Sequence, residues 1–413
     1  MGKSNRSIYA VTGVIVLLCD GLIYAWSIMS APIAIEFPTW SNTQLSFTFT
    51  IVMIMFSAGG IIGGILSKKL KPGYYLRISG LLFLIGFGIS SRAQNLSSLY
   101  IAFGCVCGFA CGFAYNAVIS TVNKWFTDKQ GFISGILLMG FGFGSFFVGK
   151  IFQALTPSET GGWRISFVIL GVVVFCVMIF ASFILKSPPD GYICPARNNN
   201  LKKPVNSVAI EAPPAIMLRH CSFWLCLIWS SVLFLAGVAI VSNANGIAME
   251  IGSDRSSGTI ATVVGLISIF NGIGRVIMGS TYDRLGRAFT MHMSNISFLI
   301  AAFILFTAQS THSFILLIAG FICCGFAYSG VSPVISAFVN SYFGSRYYPT
   351  NYSIINLCAL VGAFGSTIVG ALYDATHSYL STYIMVGTMA AVGILTAFGI
   401  SISDKNLIKR KEI

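Results

Sequence analysis

Long apolar stretches fill most of this chain, and short polar intervals separate them. A bilayer core about 30 Å thick needs roughly 20 apolar residues per helix. Twelve stretches meet that length: 8–29, 44–66, 74–92, 97–121, 131–152, 164–186, 221–247, 258–279, 289–308, 313–338, 351–373 and 379–402. In hydrocarbon a backbone must satisfy its own polar groups, so these stretches predict transmembrane helices. The polar interval 187–219 divides them six and six. It holds Pro188-Pro189, three asparagines at 198–200, Lys202-Lys203 and Pro213-Pro214, which mark a loop. The expected organisation is a first six-helix bundle over 1–186, a cytoplasmic linker over 187–219, and a second bundle over 220–413 with a short tail. The first stretch runs past Asp20 to Met29 without a cleavage signal, so it reads as a helix and not a signal peptide.

Composition agrees with this reading. Of 413 residues, 55% are apolar and only 9% are charged, against about a quarter charged in soluble domains. The net charge of +13 takes its meaning from where the basic residues lie. With the N-terminus in the cytoplasm, twenty of the 25 Lys and Arg fall on the inner side and four near the outer side. The last, Arg275, lies within the eighth stretch. This asymmetry predicts a multi-pass protein of the plasma membrane with both termini cytoplasmic. No basic stripe with interleaved aromatics suggests nucleic acid. The eleven cysteines include two close pairs, Cys105/Cys107 and Cys323/Cys324, and no His or carboxylate joins either. They read as packing residues, with no metal expected. No nucleotide fingerprint or phosphate loop is present, so no cofactor and no ATP-driven step are expected. No catalytic set lies at mid-span spacing, and the chain is not expected to be an enzyme.

An internal repeat links the halves. Cys111-Gly112-Phe113-Ala114-Tyr115 returns as Cys324-Gly325-Phe326-Ala327-Tyr328, 213 residues later, in the fourth helix of the second half. Downstream, Asn123-Lys124-Trp125-Phe126 is echoed by Asn340-Ser341-Tyr342-Phe343. Parallel repeats of six helices are a transporter design, with substrate near the midplane and alternating access.

After the eighth stretch comes Gly279-Ser280-Thr281-Tyr282-Asp283-Arg284-Leu285-Gly286-Arg287. This resembles the loop signature of the major facilitator superfamily, in which Gly279, Asp283, Arg284, Gly286 and Arg287 are the matching positions. The resemblance implies a loop that latches one conformation. In the first half the matching loop, 64–71, carries Lys68 at the acidic position, a departure that leaves the first latch in doubt. Three further segments are similar to the oxalate/formate antiporter group and the related monocarboxylate transporters. They are Asn123 to Gly131 with the glycines of Gly140 to Gly144, Asp20-Gly21 ahead of Tyr24-Ala25-Trp26, and Met217-Leu218-Arg219 with Phe223-Trp224. The implied fold is all-α and polytopic, with twelve transmembrane helices in two pseudo-symmetric six-helix bundles.

Arg275 is the most informative residue. It lies eight residues before Asp283, so about 12 Å deeper along the helix. A guanidinium within a span costs at least about 2.5–3.5 kcal/mol. Ser268, Asn271 and Arg275 form one polar stripe by their spacing. A planar five-donor cation suits a carboxylate; the competing reading is a structural ion pair, with Asp20 as the partner. The oxalate/formate group has its substrate arginine at this position. Asp20 has three open roles: proton carrier, counter-ion of Arg275, or structural carboxyl. The resemblance places Tyr24, Tyr115 and Tyr328 along the site, with helix packing as the alternative for each. Asn271, Asn116 and Asn356 are further candidates. That group's second cation, a lysine, is matched here by Ala359, which argues against a dianion such as oxalate. The expectation is a secondary carrier of a small monocarboxylate anion such as lactate, pyruvate or formate, by proton symport or anion exchange, acting as a monomer in the bilayer. The alternative is a carrier of the same fold for a dicarboxylate, an amino acid or a drug.

Overall fold

The computed structural model describes residues 6–40, 42–67, 69–157, 161–189, 192, 210–252 and 254–411. Residues 190–191 and 193–209 of the expected linker therefore lie outside the described residues, as does Lys68. All regular structure among the described residues is helical. Twelve helical spans are long and apolar enough to cross a membrane: Ser7–Ala25, Phe47–Leu66, Pro72–Ser90, Leu96–Trp125, Gln130–Leu155, Trp163–Ile184, Cys221–Ile251, Thr262–Leu285, Arg287–Thr311, Phe314–Phe343, Tyr348–Tyr373 and Leu380–Ser403. They are numbered spans 1 to 12 below. Each coincides with one expected stretch. The helix of span 12 runs on to Lys411, where the sequence had suggested an unpatterned tail.

The chain separates into two compact units. Unit 1 holds Met1–Asp128, Ile136–Arg197 and Tyr352–Ile354; unit 2 holds Lys129–Gly135, Asn198–Asn351 and Ile355–Ile413. Within unit 1, span 2 packs on span 4 and span 3 on span 6. Span 1 packs on span 5 through Gly21 and Gly144. Within unit 2 the pairing recurs: span 8 on 10, span 9 on 12, and span 7 on 11. The repeated five-residue motif explains part of this. A Cβ on Gly112 would overlap the carbonyl oxygen of Phe56 in span 2, and one on Gly325 would overlap that of Ile267 in span 8. The same glycine thus permits the same close crossing twice, as small residues do between membrane helices.

Four spans depart from a regular α-helix, which hydropathy does not foretell. Span 1 tightens to a 3-10 turn over Gly21–Ala25, directly after Asp20. Span 4 opens into a π segment over Tyr100–Cys107. Span 10 is interrupted at Gly330, between helices Phe314–Ser329 and Val331–Phe343. There Pro333 has no N–H for the Ser329 carbonyl four residues back. Span 11 breaks after Ile355 and resumes at Cys358.

In each unit the segment entering the first span holds the end of the fourth. Arg6 pairs with Asp128 at 2.7 Å and lies 4.6 Å from the Phe126 ring centroid, and Tyr9 stacks on Trp125 at 4.4 Å. In unit 2 the link is through backbone. The amides of Ile210 and Ala212 donate to the carbonyls of Tyr342 and Phe343, both at 3.2 Å. These are terminal carbonyls that their own helix cannot satisfy. Asn351 Nδ2 closes the clasp on the Ala212 carbonyl at 2.9 Å. A Glu211 carboxylate oxygen accepts from the Arg346 amide at 3.1 Å.

Candidate functional site

In unit 2 the backbone at Arg275 is fixed by two glycines. A Cβ on Gly135, at the start of span 5, would overlap the Arg275 carbonyl oxygen; one on Gly274 would overlap Ser329 Oγ of span 10. Two neighbouring helices therefore close on this turn of span 8. The side chain is held separately. Arg275 Nε donates to Asn271 Oδ1 at 2.9 Å, one turn back. Asn271 is buried and Arg275 half-buried, whereas Ser268, of the same stripe, is exposed. A guanidinium carries five N–H donors; the four not on Nε belong to the terminal nitrogens. Tyr328 is half-buried, edge-on to Phe234 at 5.5 Å. Its ring leaves no room for a Cβ on Gly237.

In unit 1, Tyr24 stands on the 3-10 turn and is 39% exposed. Its ring lies 5.4 Å from Phe141 and 5.9 Å from Phe49. Tyr115 is buried, 4.9 Å from the same Phe141 and 5.1 Å from Phe56. Phe141 thus brings the two tyrosines into one aromatic cluster. The Tyr115 hydroxyl is 3.0 Å from the Tyr352 hydroxyl. The next residue along repeats the link: Asn116 Nδ2 donates to Ser353 Oγ, and to the Gly60 carbonyl at 2.8 Å. Phe141, Tyr352 and Ser353 were not singled out in the sequence. The polar pair Tyr352-Ser353 at the head of the eleventh apolar stretch is the signal that could have found the last two.

Asp20 is fully buried, and neither carboxylate oxygen has a hydrogen-bond partner among the described residues. Its main chain is engaged: Cys111 Sγ donates to the Asp20 carbonyl at 3.2 Å. Cys111 opens the repeated motif, so the first copy of that motif lies against Asp20.

The loop after span 8 is also ordered by named bonds. Asp283 accepts from the amides of Gly131 at 3.0 Å and Phe132 at 2.8 Å. These are first-turn N–H groups of the helix Gln130–Leu155, where a carboxylate also meets the positive end of the helix dipole. Gly279 and Gly131 let the two backbones meet, since a Cβ on either would overlap the other's carbonyl oxygen or the Asp283 side chain. Gly286, with φ 85°, ends the helix and lets the chain turn into Arg287–Thr311. Arg287 is buried, 5.8 Å from the Phe338 ring centroid, while Arg284 is exposed. In the first-half loop, Ser67 Oγ donates to the Gly64 carbonyl at 2.6 Å, and Leu66 and Leu70 pack against Tyr75, Phe113 and Ala117.

The sequence matches the Major Facilitator Superfamily over residues 13–366, with a second match over 233–410. It is 24% identical over 362 residues to the uncharacterized MFS-type transporter YhjX of Escherichia coli (strain K12), covering 87% of this chain and 86% of the relative. It is 24% identical over 355 residues to the oxalate:formate antiporter of Oxalobacter formigenes, covering 84% and 80%. It is 29% identical over 164 residues to monocarboxylate transporter 12 of Rattus norvegicus, covering 38% and 33%. In fold it resembles the proton:xylose symporter XylE, with a TM-score of 0.70 at 14% identity, covering 95% of each chain. With the match running through both repeated halves, the chain belongs to the major facilitator superfamily and is a membrane transporter of the secondary carrier type.

Proposed function

We propose that this transporter carries a small monocarboxylate, such as lactate, pyruvate or formate, across the plasma membrane by alternating access. The observation that carries the reading is Arg275: a permanent cation within span 8, its Nε bonded to a neutral amide. A guanidinium fork matches a carboxylate with two parallel hydrogen bonds. Tyrosine hydroxyls on spans 1, 4 and 10 are the candidate secondary donors. Two relatives whose names cite oxalate, formate or monocarboxylates support the substrate class. A single fixed cation, with Ala359 where the antiporter group has a lysine, favours one negative charge over two. A second carboxylate in a low-dielectric site without its own partner would be costly. Asp20 is the proposed proton carrier: taking up a proton removes a buried charge that has no hydrogen-bond partner. The distribution of Lys and Arg supports cytoplasmic termini, and the proposed working unit is a monomer.

The test is counterflow in liposomes with labelled formate, lactate and pyruvate, each with and without a pH gradient. The wild type exchanges at least one of them, and Arg275→Ala does not. Exchange of oxalate, amino acids or cationic dyes in preference to all three would replace this substrate class with another.

A further inference from the structure

The sequence stripe offered Asn271 as a substrate ligand. We infer that Asn271 is instead a positioning residue, acting on the substrate only through Arg275. The inference rests on the carboxylate reading above. Asn271 is buried, lies one turn before Arg275 and accepts the Nε proton at 2.9 Å. The backbone of the same turn is already pinned by Gly135 and by Gly274 against Ser329. Two of the arginine's degrees of freedom are thus set from different sides: where its Cα stands, and how the plane of the guanidinium is turned.

The choice of amide over carboxylate has a chemical consequence. An amide oxygen takes the Nε proton without bringing a negative charge, whereas an aspartate would make the same bond and act as a built-in competitor for any carboxylate guest. Asparagine therefore orients the cation without adding a negative charge of its own. Titratable side chains on the elements packed against this turn enter any pH argument. Nearest in sequence to the contacts are Lys129 on the approach to span 5 and Tyr328 beside Ser329 in span 10. On span 8 itself they are Asp283 and Arg284.

The experiment uses purified full-length protein in liposomes. Counterflow of labelled formate and lactate is measured at equal pH on both faces, so that no proton gradient drives it. Asn271→Leu removes the acceptor at similar volume; KM is expected to rise roughly tenfold or more, with the maximal rate little changed, as for loss of one charge-assisted hydrogen bond. Asn271→Asp keeps shape and bond. At about pH 7 it is expected to transport roughly tenfold or more below wild type, because an aspartate beside a guanidinium is ionised there and competes with the substrate for Arg275. A merely structural asparagine would tolerate Asn271→Asp, which keeps the bond to Nε, without that loss. An unchanged KM in Asn271→Leu, together with wild-type counterflow in Asn271→Asp, overturns the positioning role. If Arg275→Ala is at the same time inactive, the carboxylate reading still stands. Wild-type counterflow by Arg275→Ala instead overturns the carboxylate reading, and this inference with it.

Discussion

The charged groups of spans 1 and 8 are housed in opposite ways. Arg275 is half-buried, its Nε bonded to Asn271 and its backbone gripped by glycines from two helices. Asp20 is fully buried, its carboxylate has no hydrogen-bond partner among the described residues, and the helix tightens into a 3-10 turn right after it. One site is built to hold a charge in a fixed direction. The other gives a charge nothing to hold on to. An arginine cannot lose its charge in a protein, so it needs a scaffold; a carboxylate can, by taking up a proton, so its surroundings need not stabilise the ion. Under the proposed function, the first serves recognition and the second proton handling.

The largest break in that contrast comes from Arg275→Ala. Losing two charge-assisted hydrogen bonds, each worth about 1.5–3 kcal/mol, should lower carboxylate counterflow about 100-fold or more while the protein still inserts, as read by yield and gel filtration. Next is Gly135→Val, which leaves Arg275 in place but pushes span 5 off its carbonyl. Overpacking costs typically about 1–3 kcal/mol, so a fall of several degrees in thermal-shift midpoint and roughly tenfold slower transport are expected. Asp20→Asn sharpens the other side. No hydrogen bond to the carboxylate is lost, so stability should change by less than about 1 kcal/mol. Acceleration by an inward proton gradient should disappear while counterflow at equal pH survives. The smallest effect is expected for Tyr115→Phe, which keeps the ring cluster and removes the hydroxyl link to Tyr352. Its cost of about 1 kcal/mol should appear as a few-fold change in KM or rate.

Much of the architecture could be read from the chain because hydrocarbon imposes one rule on every span. Counting apolar runs found all twelve, and the motif ending in Tyr115 and Tyr328 found the repeat. Its glycine proved the more telling member, since Gly112 and Gly325 make the same crossing whereas the two tyrosines have different neighbours. What hydropathy could not reach were the helix irregularities and the partners across helices. A tightened turn at Gly21–Ala25 is as apolar as a regular one. The bond from Arg275 to Asn271 was legible as spacing, because residues four apart share a helix face. The meeting of Tyr115 with Tyr352, 237 positions apart, follows from no local pattern. Asp283 was recognisable as part of a signature, but its two amide partners at Gly131 and Phe132 depend on how span 5 begins.

The backbone clasp at Ile210 and Ala212 sets where this chain can be divided. A split ahead of Ile210 leaves the second fragment with the segment that finishes the end of span 10. A split just after Pro213 strips two terminal carbonyls of their donors and Asn351 of its acceptor. Co-expressed fragments cut at the earlier point should reassemble into a working carrier more readily than those cut four residues later.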